Sequence, residues 1–316
     1  MGHSIYHMNF LQAIVIGLLQ GISELFPVSS LGHTVLVPSW IGGSWASLVR
    51  QESEAESPYL AFVVGLHLAT AVVLLGFYAR EWARLVAGFF RSLGRRKVVT
   101  VEERLAWLIV VATVPVGALG LVFEHQFRVL FAKPVAAASF LMVNGVILLA
   151  GERHRRRQES ALGATPGRAG STQLRDKRIV PMDAAAEREL SGIGLLSAVI
   201  IGASQALALL AGISREGVAM VGGLFRGLNN ENAMRFSFLL STPVIFAAGA
   251  LKVPDLLGSL GNGIRPQVLA GSLAAVVTSL FAVVFLSRYF RTRTLLPFAV
   301  YSLAFGLASV VRFAVF

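Results

Sequence analysis

Residues 17–33 read Gly17-Leu18-Leu19-Gln20-Gly21-Ile22-Ser23-Glu24-Leu25-Phe26-Pro27-Val28-Ser29-Ser30-Leu31-Gly32-His33, and this stretch decides the fold. It completes an apolar helix over Asn9 to Phe26, then breaks at Pro27 where a membrane helix would simply continue. Gln20 and Glu24 share one helical face, and that face leads into Ser29, Ser30 and His33. A carboxylate, two hydroxyls and an imidazole are costly in hydrocarbon, so their presence at membrane depth points to function.

Outward from this stretch, the chain is apolar throughout. Of its 316 residues, 55% are hydrophobic and 14% charged, which describes an integral membrane protein without a sizeable soluble domain. No cysteine is present, which excludes disulfides and thiolate chemistry. Lys and Arg outnumber Asp and Glu by 28 to 17. The basic residues sit in short loops between spans, so they set orientation and attract anionic lipid; nucleic acid is not an expected partner.

Further spans fit Tyr59 to Tyr78, Ala106 to Phe123, Pro134 to Ala150, Asn232 to Ala250, Pro266 to Leu286 and Leu295 to Phe316. His67, Trp82 and Trp107 read as packing or interfacial residues. The basic loops at 80–104, 151–190 and 287–294 belong in the cytoplasm, and the 41–57 and 251–265 loops outside. This holds only if two broken segments, 9–40 and 193–228, dip into the membrane and return on their own sides. The second breaks at Ala211-Gly212-Ile213-Ser214-Arg215-Glu216-Gly217. An offset of 185 positions superposes Ile16-Gly17 on Ile201-Gly202, Gln20 on Gln205, Ser29 on Ser214 and Gly32 on Gly217, and sets Ser30 against Arg215.

The expected fold is therefore an all-α membrane protein of about six transmembrane helices with two re-entrant helix pairs in an inverted-topology repeat. Residues 1–150 form the first repeat, 151–190 a basic cytoplasmic linker and 191–316 the second repeat.

Gln20-x-x-x-Glu24 with Phe26-Pro27-Val28-Ser29-Ser30-Leu31-Gly32-His33, followed late in the chain by Gly212-Ile213-Ser214-Arg215, resembles the undecaprenyl-diphosphate phosphatase family of the bacitracin-resistance type. His67-Leu68-Ala69-Thr70 and Phe236-Ser237-Phe238-Leu239-Leu240-Ser241-Thr242-Pro243 resemble the family's pattern too. The resemblance implies removal of the terminal phosphate from a polyprenyl diphosphate, at the periplasmic face of a bacterial inner membrane. It also implies a link to cell-wall synthesis and bacitracin resistance.

In the residues' own terms, Arg215 offers planar donors for a phosphate. Ser30 or Ser29 is the expected nucleophile, with His33 orienting it, taking its proton or itself attacking phosphorus. Glu24 is the expected general base or a ligand to Mg²⁺ or Ca²⁺, oriented by Gln20. Ser29, Ser214, Glu216, Gly32 and Gly217 complete the expected substrate-binding set, and a homodimer is the assembly considered.

One departure stands out. The family's second motif usually runs Pro-Gly-x-Ser-Arg-Ser-Gly-x-Thr, and this chain has Ala211, Glu216 and Ala219 where Pro, the second Ser and Thr stand. Glu216 could neutralise Arg215 or supply a second metal ligand. The alternative function is accordingly a non-enzymatic polyprenyl-phosphate binder or flippase.

Overall fold

The computed structural model describes residues 8–52, 58–131, 133–161, 189–258 and 261–315. Most of the 151–190 linker lies outside them. Among the described residues the regular structure is helical throughout.

Helix α1 (Phe10–Leu25) is started by a capping box. The Asn9 side chain accepts the Gln12 N–H at 2.8 Å, and the Gln12 side chain accepts the Asn9 N–H at 3.0 Å. It stops because Phe26 precedes a proline and is driven extended (φ −71°, ψ 141°). Helix α2 (Ser30–Ile41) starts from Ser29, whose hydroxyl accepts the Gly32 N–H at 3.2 Å. The second broken segment repeats this device. Helix α8 (Leu195–Ser204) runs into a 3₁₀ turn at Gln205–Leu209, the chain breaks, and α9 (Arg215–Phe225) starts from Ser214, whose hydroxyl accepts the Gly217 N–H at 3.1 Å.

Around these short helices stand longer ones: α4 (Pro58–Phe77), α6 (Val101–Phe131), α7 (Pro134–Ala161), α10 (Asn230–Leu257), α11 (Arg265–Tyr289) and α12 (Leu296–Val315). Five of them are long and apolar enough to cross a membrane, and α4 with the helix after it makes a sixth candidate. The protein is thus a multi-pass membrane protein. With little hydrophobic force between helices in lipid, close approach depends on small residues. A Cβ on Gly17 would fall 2.2 Å from the Gly271 carbonyl oxygen of α11, and one on Gly202 only 1.9 Å from the Ala112 carbonyl oxygen of α6. Each broken segment is therefore seated backbone to backbone against a long helix.

Two expected loops turn out to be helical. Most of the basic 80–104 segment forms α5 (Ala79–Arg95), turned 84° from α4. The helical register puts Arg80, Arg84, Arg91 and Arg95 on one face, while Val86, Phe90 and Leu93 stay exposed on another. That pattern is one of a helix lying along the membrane surface. The outer 41–57 loop contains α3 (Gly43–Glu52), while residues 53–57 of it lie outside the described set.

Candidate active site

The two breaks meet. The Ser29 hydroxyl accepts a second hydrogen bond, from the Gly212 N–H at 3.1 Å, and a Cβ on Gly32 would stand 2.9 Å from the Gly212 Cα. Gly212 has φ +116°, a conformation that favours glycine. Asn144, in the middle of α7, fastens both sides: its Nδ2 donates to the Pro27 carbonyl at 2.9 Å and its Oδ1 accepts the Ser214 N–H at 3.0 Å.

Beside this junction lies a small cavity lined by Glu24, Ser29, Ser30, Leu31, His67, Ala208, Ile213, Ser214 and Arg215. Glu24 is its one carboxylate. The Glu24 Oε2 atom accepts from the Ser30 hydroxyl and from Gln20 Nε2 at 3.0 Å, and His67 Nε2 lies 3.2 Å from it. The Arg215 guanidinium faces the same space, and its buried Nε and Nη1 atoms have no hydrogen-bond partner among the described residues. A guanidinium with two spare buried donors suits an anion with several oxygens.

Of the residues expected at the site, Glu24, Ser29, Ser30, Ser214 and Arg215 line the cavity and Gln20 reaches it through Glu24. Gly32 and Gly217 lend their N–H groups to the two serine caps. His33 is turned elsewhere. Its Nδ1 donates to the Ser29 carbonyl at 2.6 Å, its Nε2 lies 2.7 Å from the Tyr301 hydroxyl, and its ring stacks on Tyr301. This pairing satisfies a neutral tautomer and braces Ser29, which sits at φ +70°. Glu216 also points away, its carboxylate accepting from the Ser237 hydroxyl on α10.

Two further residues belong to the site: His67, for which the sequence predicts packing, lines the cavity, and Asn144, which no sequence motif marks, holds both breaks. Each is a polar residue in an otherwise apolar span, which is itself a functional signal.

The donor set does not form a divalent-cation cage. Among the described residues no group of three His, Cys, Asp or Glu side chains is placed to hold a metal. The one cavity carboxylate already accepts two hydrogen bonds on Oε2 and has His67 Nε2 3.2 Å from the same atom.

Comparison with known proteins agrees with this chemistry. The family model described as "Bacitracin resistance protein BacA" matches residues 13–308. The chain is 51% identical to "Undecaprenyl-diphosphatase 2" of Frankia alni, across 98% of this chain and 99% of the relative. It is 52% identical to "Undecaprenyl-diphosphatase" of Mycolicibacterium paratuberculosis, across 98% of each. A more distant relative, "Undecaprenyl-diphosphatase 2" of Chromobacterium violaceum, is 38% identical across 96% of this chain and 99% of its own. With a match over nearly its whole length and full-length relatives at about half identity, this chain belongs to the BacA bacitracin resistance protein family.

Proposed function

We propose that the chain is a membrane hydrolase that converts undecaprenyl diphosphate to undecaprenyl phosphate and phosphate. The observation that carries this reading is the Ser30 hydroxyl hydrogen-bonded to Glu24 in a cavity that also holds the unpaired Arg215 guanidinium. A nucleophile, its base and a phosphate anchor are side by side.

Arg215 binds the terminal phosphoryl oxygens at the N-terminal end of α9, where the helix dipole favours an anion. Ser30 Oγ attacks the terminal phosphorus as its proton passes to Glu24. The bond from that phosphorus to the bridging oxygen breaks, and the polyprenyl phosphate leaves. Water then attacks the phosphoserine, releasing inorganic phosphate and restoring Ser30. Such a transfer asks chiefly for positioning and charge neutralisation, which these residues supply. No step is routed through a metal; a divalent ion travelling with the diphosphate would find one carboxylate here, Glu24.

The same reading puts the chain in a bacterial inner membrane with the cavity opening to the periplasm, the two broken segments related as an inverted repeat, and a homodimer as its assembly. The chain's lack of cysteine makes sidedness testable. Cysteines placed at the exposed Ser44 and Lys97 are expected to label from opposite sides, and same-side labelling rejects the arrangement. The activity is tested by phosphate release from a polyprenyl diphosphate in detergent. Wild type is expected to turn over and Ser30→Ala to lose about a thousandfold or more. An active Ser30→Ala removes Ser30 as nucleophile, and a silent wild type removes the phosphatase reading.

A further inference from the structure

The mechanism above leaves one cavity side chain without a part. His67 lies in α4, the only histidine of an otherwise apolar helix, with Nε2 3.2 Å from Glu24 Oε2 and Nδ1 2.9 Å from the Val63 carbonyl oxygen. A carbonyl only accepts, so Nδ1 carries the proton there. A neutral ring would then turn the Nε2 lone pair toward the carboxylate. The contact is satisfied when Nε2 carries a proton as well, or shares one with Glu24. His33 makes the contrast, because the hydroxyl facing its Nε2 can donate.

We infer that His67 is a positioning residue that orients Glu24, completing a Ser30–Glu24–His67 chain of contacts in which the carboxylate is the central member and the imidazole the outer one. The inference rests on the phosphatase reading for its catalytic meaning, while the pairing itself can be tested without turnover. It differs from the serine-hydrolase order, in which the imidazole is central and the carboxylate outer.

The test is a double-mutant cycle between Glu24→Gln and His67→Phe in the full chain. His67→Phe is expected to lower kcat on the order of 10²-fold with KM within about twofold, because the imidazole acts through the base. Glu24→Gln combined with His67→Phe is expected to be no slower than Glu24→Gln alone. Wild-type kcat in His67→Phe overturns the inference, and so do losses that multiply in the double variant, which would mean that His67 acts independently of Glu24. If His67→Phe does not fold, His67→Leu, which also lacks a donor, carries the same cycle. The four proteins are also compared by thermal unfolding in detergent. Non-additive Tm shifts are expected from the pairing, and additive shifts overturn it even if wild type releases no phosphate. A silent wild type with non-additive shifts rejects the phosphatase reading alone.

Discussion

Ser29 and Gly212, 183 residues apart in sequence, are joined by a 3.1 Å hydrogen bond from the Gly212 N–H to the Ser29 hydroxyl. The same hydroxyl caps α2 through the Gly32 N–H. One oxygen thus starts a helix and clasps the opposite break. Ser29→Ala leaves two buried N–H groups without an acceptor, at about 1–3 kcal/mol each. A lower Tm in detergent is expected, together with reduced phosphate release. An unchanged Tm would mean that the junction is held by Asn144 alone.

Arg215→Lys keeps a positive charge and loses the planar fork. Its two unpartnered buried nitrogens are the donors at stake. Phosphate release by Arg215→Ala is expected to fall about 10²- to 10³-fold, with Arg215→Lys closer to alanine than to wild type. Full activity in the lysine variant would show that charge, without bidentate geometry, is sufficient.

Glu216 is buried and bonded to Ser237, outside the cavity lining. Glu216→Ser, which restores the family's usual residue, is therefore expected to change kcat/KM by no more than a few fold, measured on the same substrate. A large gain would show that its charge suppresses the reaction.

The absence of a three-donor cluster among the described residues bears on metal dependence. Chelation with EDTA is expected to leave Tm unchanged. Any loss of turnover should be restored by Mg²⁺ or Ca²⁺ only at about millimolar concentration, as for an ion carried by the substrate. A Tm that collapses on chelation would reveal a resident ion.

How far the site can be read from sequence depends on the range of each contact. The Gln20–Glu24 pair is local, four residues apart on one helix, and its 3.0 Å hydrogen bond follows from helical geometry alone. The break at Pro27 and the two serine caps are equally local, set by proline sterics and capping chemistry. The His67–Glu24 and Asn144–Pro27 contacts join separate helices, so spacing could not reveal them. A histidine and an asparagine within the apolar stretches of α4 and α7 are nevertheless a usable signal. His33 sits inside the most distinctive motif; its contact with Ser29 is local, while its contact with Tyr301 comes from a distant helix that spacing does not show. In the 80–104 segment, the density of arginines obscured their helical spacing, which α5 makes plain.

The contact of Gly17 with Gly271 has a consequence for how a lipid reaches the reaction. A Cβ at Gly21, one turn along α1, would also collide with α11, 2.4 Å from the Ala275 carbonyl oxygen. With two successive turns keyed backbone to backbone, α1 cannot slide along its neighbour without opening the interface. Glu24, on the next turn, is held in fixed register against α11 like a mark on a gauge. The protein does not swing its carboxylate out to meet a phosphate; the phosphate has to come to that mark.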